Sequence, residues 1–431
     1  MQNESREFKG LHAYFAENPI EAHRQFFEPE PGTSRRGFFT TAGLAAAGGY
    51  LGMAIPFYAN MPLELVPAAF AAEDLLVGKD GLTLLNDRPI NAETPPHLLD
   101  DAITPTARHF IRNNGLPPDD ISSDDWILAV DGLVERPMKL TIEDLRSQFE
   151  VVSMALAIEC GGNGRAFFDP PARGNQWTFG AVGCSKWTGV RLADVLKKAG
   201  LKPGVVYTAH YGADTHLSGK EGKLPISRGV PIAKALTDNV LIAFAMNGGP
   251  LHKQNGAPLR LVVPGWPGSC SQKWLNRIQL RDRVHDGPKM TGTSYRVPRY
   301  PVAPGDEVPT EDFVIIERMP VKSLITAPAS GSSASRAVEV RGHAWSGDRK
   351  VAAVDVSIDF GKSWMAAELD DPVDPGAWQN WRLSASFPEA GYYEVWARAT
   401  DSAGEMQPFA IDWNPKGYLN NTLHRVALRV G

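Results

Sequence analysis

Cysteine is scarce in this 431-residue chain, where Cys160, Cys184 and Cys270 are the only three. An odd and sparse set excludes a disulfide framework and leaves at least one thiol unpaired. Also missing are a Cys-x-x-Cys-His haem attachment site and any cluster-type cysteine spacing. There is no His-Glu-x-x-His helix, no Walker loop and no Gly-x-Gly-x-x-Gly behind a strand. Long basic runs are absent and the formal charge is −5, so the chain lacks the footprint of a nucleic-acid binder. No internal repeat marks a solenoid. A composition of 43% hydrophobic and 22% charged residues leaves ordinary globular domains, two or three at this length.

Against that background one stretch stands out, Ala155-Leu156-Ala157-Ile158-Glu159-Cys160-Gly161-Gly162-Asn163-Gly164-Arg165. The apolar run Val151 to Ile158 predicts a buried strand that stops at a cysteine. Two glycines then force a tight turn and let a ligand approach the backbone. An arginine follows five residues after the thiol. A thiol at a strand end beside a fixed positive charge suits a metal ligand or nucleophile. The same local features also suit a buried structural cysteine, because free Cys packs well.

Before this stretch, Thr33-Ser34-Arg35-Arg36-Gly37-Phe38-Phe39 resembles a twin-arginine export motif, with an uncharged Ala- and Gly-rich run, Thr40 to Phe57, behind it. Ala69-Phe70-Ala71 offers small residues for a signal peptidase. The expectation is a periplasmic protein with no membrane span once the signal is removed. Such export carries folded proteins, which would bring a free metal-binding thiol intact into an oxidising compartment. Residues 1–71 are read as the leader and 72–103 as an extended arm, within a proline-rich stretch from Glu73 to Pro118.

Cys160-Gly161-Gly162-Asn163-Gly164-Arg165 resembles the molybdenum-binding loop of the sulfite oxidase family. The similarity continues after about Thr104. His109-Phe110-Ile111-Arg112-Asn113-Asn114 is similar to the family's aromatic-x-arginine-asparagine segment. Asn255-Gly256-Ala257-Pro258-Leu259-Arg260 and the later Lys273 match the segments that meet the pterin. Thr293-Ser294-Tyr295-Arg296 looks like the active-site tyrosine element. The resemblance implies a molybdenum–molybdopterin cofactor whose metal takes Cys160 as its protein ligand. It implies cofactor contacts from Phe110, Arg112, Asn113, Asn163, Asn255, Arg260 and Lys273. It implies catalytic roles for Tyr295 (Tyr300 in reserve), Arg112, Arg165 and Lys416. A solvated surface lysine is the competing reading of Lys416, and packing is the reading of Cys184. Two positions depart from the family: Asn114 and Asn255 stand where many relatives carry histidine, and Asn255 brings no charge.

Trp126 to Val134 predicts a strand, Thr141 with Asp144 a helix cap, and Ala193 to Leu201 an amphipathic helix stopping near Gly200. Arg281 to Pro309 reads as a long functional loop. From Phe313 the pattern turns to short alternating runs between Gly, Asp and Pro turns, the pattern of an immunoglobulin-like sandwich. It resembles the family's dimerisation domain. The fold expected is therefore α+β: a sulfite oxidase-type cofactor domain over 104–312, then a β-sandwich over 313–431 that pairs two subunits.

The function implied is exported, molybdenum-dependent oxidation of reduced inorganic sulfur. Within the family the Arg-Arg signal, Asn114 and Asn255 look most like the sulfane dehydrogenase branch, which oxidises sulfur on a carrier protein. Lacking a haem motif, the chain needs a c-type cytochrome as partner. The alternatives are a periplasmic sulfite dehydrogenase and an exported binding module that keeps the fold without the chemistry.

Overall fold

The structure, a computed structural model, describes residues 75–119 and 122–431. All of these fall within one unit, Pro67–Gly431. The twin-arginine motif and the apolar run behind it lie outside the described residues.

The stretch read as an extended arm is folded. Strands β1 (Thr83–Asp87) and β2 (Ile90–Glu93) form an antiparallel hairpin. Ala92 then bridges to Ile111, and both are fully buried with Leu76. Prolines limit regular structure here, but one small apolar cluster, Leu76, Ala92 and Ile111 with Leu82, Leu84 and Ile90 against it, packs the segment together.

Next come β3 (Leu128–Gly132), β4 (Met138–Leu140) and helix α1 (Ile142–Gln148). The expected cap is present: the Asp144 amide donates to Thr141 Oγ1 at 2.9 Å, and the Thr141 amide donates to the Asp144 carboxylate at 2.9 Å. A reciprocal cap of this kind stabilises a helix start by about 1 kcal/mol. Strands β5 (Val151–Glu159) and β6 (Val182–Arg191) pair antiparallel along their length, and helix α2 (Leu192–Ala199) follows, closed by Gly200. Strand β7 (Tyr207–Gly212), the single-turn helix α3 (Ile232–Ala235), β8 (Leu241–Met246), β9 (Gly249–Pro250), β10 (Arg260–Val262) and β11 (Leu275–Arg281) complete this half.

Two sheets result. One runs β10-β8-β6-β5 with β9 beside β8, and the other runs β4-β3-β11-β7 with β11 parallel to β3. The continuous apolar run of β5 has a simple cause: both of its faces are covered. Leu156 and Ile158 pack with Phe110, Trp177 and Trp187, while Ala155 and Ala157 pack with Trp345 and Trp378 from the C-terminal half. A strand buried on two sides cannot alternate with polar residues. Cys184 is wholly buried in that second cluster, as packing would have it.

The long loop after β11 is interrupted by β12 (Arg296–Pro298), which pairs with β13 (Phe313–Ile315), so a two-stranded ladder spans the expected boundary at Phe313. The C-terminal half adds β14 (Val321–Ala327), β15 (Ser333–Ala334), β16 (Ala337–Ser346), β17 (Val351–Ser357), β18 (Met365–Ala366), β19 (Glu368–Leu369), β20 (Gln379–Ser386), β21 (Gly391–Asp401) and β22 (His424–Val430). They form two sheets, β14-β16-β20-β19 and β15-β22-β21-β17-β18. Val340, Trp381, Val354, Val356, Val395 and Leu428 fill the space between them. This is the sandwich that the alternating runs predict.

Candidate functional site

Cys160 ends β5 and is held from both directions. Its amide donates to the Ala181 carbonyl at 2.9 Å, and its carbonyl accepts from the Asn163 amide at 2.9 Å. Gly164 sits at φ +90°, where a β-carbon would strike Asn420 at 2.8 Å, so only glycine closes this turn. Asn420 in turn donates to the Gly164 carbonyl at 2.9 Å. The neighbouring Glu159 carboxylate is buried and fully engaged. It accepts from Lys322 Nζ at 2.5 Å, Asn163 Nδ2 at 3.0 Å and Trp345 Nε1 at 2.8 Å. The sandwich thereby fixes the loop, through Lys322 and Trp345. Asn163, expected at the cofactor, spends its amide on this brace: its oxygen accepts from the Ala181 amide at 3.1 Å.

The thiol of Cys160 lines a pocket with Phe110, Arg112, Asn114 and Tyr295. Arg112 Nη2 donates to Asn114 Oδ1 at 2.9 Å and to Tyr295 Oη at 3.0 Å, and Tyr295 Oη donates to Asn114 Oδ1 at 3.2 Å. Burial works against the Arg112 charge, but the Tyr295 phenol and the Cys160 thiol hold its pKa above the usual value. Tyr295 occupies the left-handed region at φ +53°, a conformation a tyrosine adopts only when its surroundings dictate it. One enforcing contact is Tyr418, whose ring stacks on Tyr295 with centroids 5.6 Å apart. Burial, with Tyr295 alongside, pushes the Tyr418 phenol up to about 12. Tyr300 is exposed and donates to Asp312 instead.

Arg165 and Lys416 stand elsewhere. The Arg165 guanidinium donates to the carbonyls of Lys416 at 2.8 Å and Asn175 at 2.9 Å, and lies 4.9 Å from the Tyr418 ring. Lys416 contributes its backbone to that contact. Neither residue is among those that line the pocket, and Arg165 lies against Tyr418 behind the Tyr295 ring.

At the other end of the pocket Arg260 and Lys273 line the wall with Lys79 behind them, and Asp214 is the one carboxyl among the lining residues. Arg260, 4% exposed, donates to the Asn255 carbonyl at 2.7 Å and the Ser271 carbonyl at 3.3 Å. Lys273 donates to the Gln254 carbonyl at 2.8 Å and to the side chain of Asn113. Lys79 donates to Asn255 Oδ1 at 2.5 Å, the Thr106 carbonyl at 2.7 Å and the His109 carbonyl at 2.9 Å. Burial lowers Arg260 to about 9. Burial and the Arg260 charge lower Lys79 to about 7 and Lys273 well below the usual lysine value. None of the three pairs with a carboxylate among the described residues.

Among the described residues eight buried side-chain polar atoms lack a partner, and three of them are Asp214 Oδ1, Ser269 Oγ and Gln272 Oε1. All three residues line this same pocket. Burial pushes the Asp214 carboxyl up to about 6. Orphaned buried polar groups cost free energy unless a ligand satisfies them. A polar ring system with N–H donors fits Asp214 and Gln272, a phosphate fits the cations, and a thiophilic metal fits Cys160. Among the described residues no group of three or more His, Cys, Asp or Glu could hold a metal ion. A metal here must therefore take most of its ligands from a bound cofactor. The donor set fits a molybdenum–pterin cofactor lying along the pocket, with its phosphate toward Arg260.

Sequence reasoning placed Phe110, Arg112, Cys160, Asn255, Arg260, Lys273 and Tyr295 at this pocket, and Asn113 beside it through Lys273. It missed Lys79, Asp214, Gln272, Tyr418 and the brace residue Glu159. Glu159 carried a signal, since a carboxylate directly before the candidate ligand in an apolar strand demands a partner.

Comparison with known proteins agrees with this geometry. Residues 114–289 match the family described as the oxidoreductase molybdopterin binding domain, and residues 314–431 the Mo-co oxidoreductase dimerisation domain. Sulfite oxidase of Gallus gallus is 32% identical over 83% of this chain and 81% of its own length. Mitochondrial sulfite oxidase of Drosophila melanogaster is 35% identical over 80% of this chain, which spans 62% of that relative's length. The crystal structure of the sulfane dehydrogenase SoxCD from Paracoccus pantotrophus superposes with a TM-score of 0.67 at 27% identity, covering 93% of this chain and 95% of that one. Fold, pocket and sequence lead to one assignment: the chain belongs to the sulfite oxidase family of molybdopterin-binding oxidoreductases.

Proposed function

We propose that the chain is a molybdenum-dependent dehydrogenase of reduced inorganic sulfur, acting on sulfane sulfur held by a carrier protein. The observation that carries the reading is the cluster of Arg112, Asn114 and Tyr295 around the Cys160 thiol. When bound, the cofactor supplies oxygen transfer to sulfur and takes up an electron pair. Cys160 would hold the metal through its sulfur. Arg112 attracts the anionic sulfur group, and its donors are already aimed by Asn114. Tyr295 presents its phenol beside Arg112 and hydrogen-bonds where charge develops on the transferred oxygen. Donors fixed in advance in a water-poor site stabilise such charge most strongly. The likeness to SoxCD and the asparagine at 114 favour the sulfane substrate.

A periplasmic sulfite dehydrogenase is the second reading, favoured by the sulfite oxidase relatives. A binding module without chemistry would have no use for a thiol and a guanidinium converging on one pocket. The electrons would leave to a c-type cytochrome, because the chain has no haem attachment motif. We also assign the sandwich to pairing with a second copy of the chain, and residues 1–71 to twin-arginine export to the periplasm. Among the described residues no helix is long and apolar enough to cross a membrane.

The test is steady-state cytochrome c reduction with sulfite and with thiosulfate, each with and without a sulfur-carrier protein. Turnover that requires the carrier supports the proposal. Full turnover of free sulfite, unaffected by the carrier, overturns it in favour of the second reading.

A further inference from the structure

The loop Leu76–Gly81 is fastened on both sides. His252 Nδ1 accepts from the Gln254 amide at 3.1 Å, so its Nε2 carries the proton and donates to the Val77 carbonyl at 2.9 Å. Beyond the turn, the Asp80 amide donates to the Ala107 carbonyl at 3.0 Å, and the Asp80 carboxylate meets Arg108 Nε at 3.2 Å. Gly78 turns at φ +76° with the His252 ring 3.0 Å from where a β-carbon would stand. These contacts aim the Lys79 side chain inward, onto the turn Lys253–Asn255.

That turn is where the three cations meet. Lys79 reaches the Asn255 side-chain oxygen, Arg260 the Asn255 carbonyl and Lys273 the Gln254 carbonyl. Neutral oxygens satisfy their hydrogen bonds but leave their charges uncancelled. Like charges drawn together in a partly dry site repel, and each lowers the others' proton affinity. An anion beside such a cluster would offset that repulsion. Asn255 also links the members: its amide nitrogen donates to the Phe110 carbonyl at 3.0 Å, which leaves its oxygen turned to Lys79.

We propose that Lys79 tunes the phosphate end of the cofactor pocket by charge alone. Standing behind Asn255, with its three donors spent on Asn255 Oδ1 and the Thr106 and His109 carbonyls, it adds positive charge at that end without touching the phosphate monoester itself. The inference rests on the reading of this pocket as the pterin site, and the experiment separates the two.

Wild type, Lys79→Gln and Lys79→Arg are purified from one host, and pterin and molybdenum per chain are followed during dialysis. Lys79→Gln is expected to release pterin at least about tenfold faster than wild type, as removing a buried positive charge close behind an anion site weakens the hold on the anion. Lys79→Arg should restore retention. Thermal unfolding of the cofactor-free forms guards against a mere folding defect. There Lys79→Gln should melt no lower than wild type, because it removes a repulsive charge. Retention equal to wild type in Lys79→Gln overturns the proposal. So does equal loss in both variants, or a lower melting point of the cofactor-free Lys79→Gln, either of which would mark loop shape rather than charge. A wild-type chain that carries no pterin at all would instead overturn the reading of the pocket.

Discussion

Two groups of buried charge flank the same core and follow opposite rules. Behind the Cys160 loop, Glu159 and Lys322 face each other at 2.5 Å, and the remaining carboxylate oxygen takes the Trp345 indole N–H. Every charge there has its counterpart inside the chain. Around the turn Lys253–Asn255, Lys79, Arg260 and Lys273 make no ion pair among the described residues, and the one carboxyl in their pocket, Asp214, acts on Lys273 alone of the three. The first group joins the cofactor half to the sandwich and serves the fold. The second keeps an excess of positive charge that a bound anion would offset. The contrast teaches how a binding site is recognised before its ligand is seen: the cost of unpaired burial shows where the missing partner belongs.

Breaking the site itself should have the largest effect. Cys160→Ser replaces a thiolate by a hydroxyl, and turnover with excess acceptor should fall at least about a thousandfold, roughly 4 kcal/mol of barrier. Activity within about tenfold of wild type would remove Cys160 as the ligand.

Breaking the paired group should come next. Lys322→Met strands the Glu159 carboxylate in a dry interface and should destabilise the protein by about 3 kcal/mol in denaturant unfolding. The exposed pair Arg382–Glu368 in the sandwich is the control, and Arg382→Ala there should cost less than about 1 kcal/mol. Equal costs at the two pairs would erase the distinction between braced and solvated charge.

The pocket also carries a pH signature. Asp214 holds its proton up to about 6, so between the ordinary carboxyl value and about 6 the folded chain binds a proton that the unfolded chain has released. Stability of the cofactor-free protein should therefore fall as pH rises through that window, by about 3 kcal/mol in total. Asp214→Asn should abolish that part of the slope, measured as the difference in unfolding free energy between wild type and variant across the window. A difference that is constant with pH would contradict the burial argument.

The smallest effect sharpens the role of one cation. If Arg260 clamps the phosphate, Arg260→Met should lower molybdenum per chain about tenfold while the loaded fraction keeps its KM. Full occupancy with unchanged kinetics would leave Arg260 a structural residue.

Much of this was legible in the sequence where the cause is local. The capping box at Thr141, the continuous apolar run of β5 and the alternation of the sandwich strands are written in consecutive residues, although what covers β5 on one face comes from Trp345 and Trp378. Cys160, Arg112, Arg260 and Tyr295 were legible because each sits in a compact motif. What escaped depends on contacts distant in sequence. Lys79 meets Asn255 across 176 residues, and Lys322 meets Glu159 across 163. Tyr418 shows nothing in its own segment of the ring it stacks on. The surroundings of Arg165 escaped for a related reason: carbonyls of Asn175 and Lys416, the latter 251 residues on, take two of its donors. The hairpin β1–β2 was hidden by proline-rich flanks and by strands of five and four residues, too short to show a period.

The central claim is that the unpaired cations and orphaned polar atoms of this pocket exist for a molybdenum–pterin cofactor. The most direct test compares the chain purified from a cofactor-competent host with the chain from a host unable to make the pterin. Metal and pterin are counted per chain, and the two forms are melted side by side. The account predicts about one molybdenum and one pterin per chain in the first and none in the second. It also predicts a clearly higher melting temperature for the loaded form, since a ligand bound only by the folded state stabilises it. A chain that carries no molybdenum from the competent host, or two forms that melt together, would contradict it.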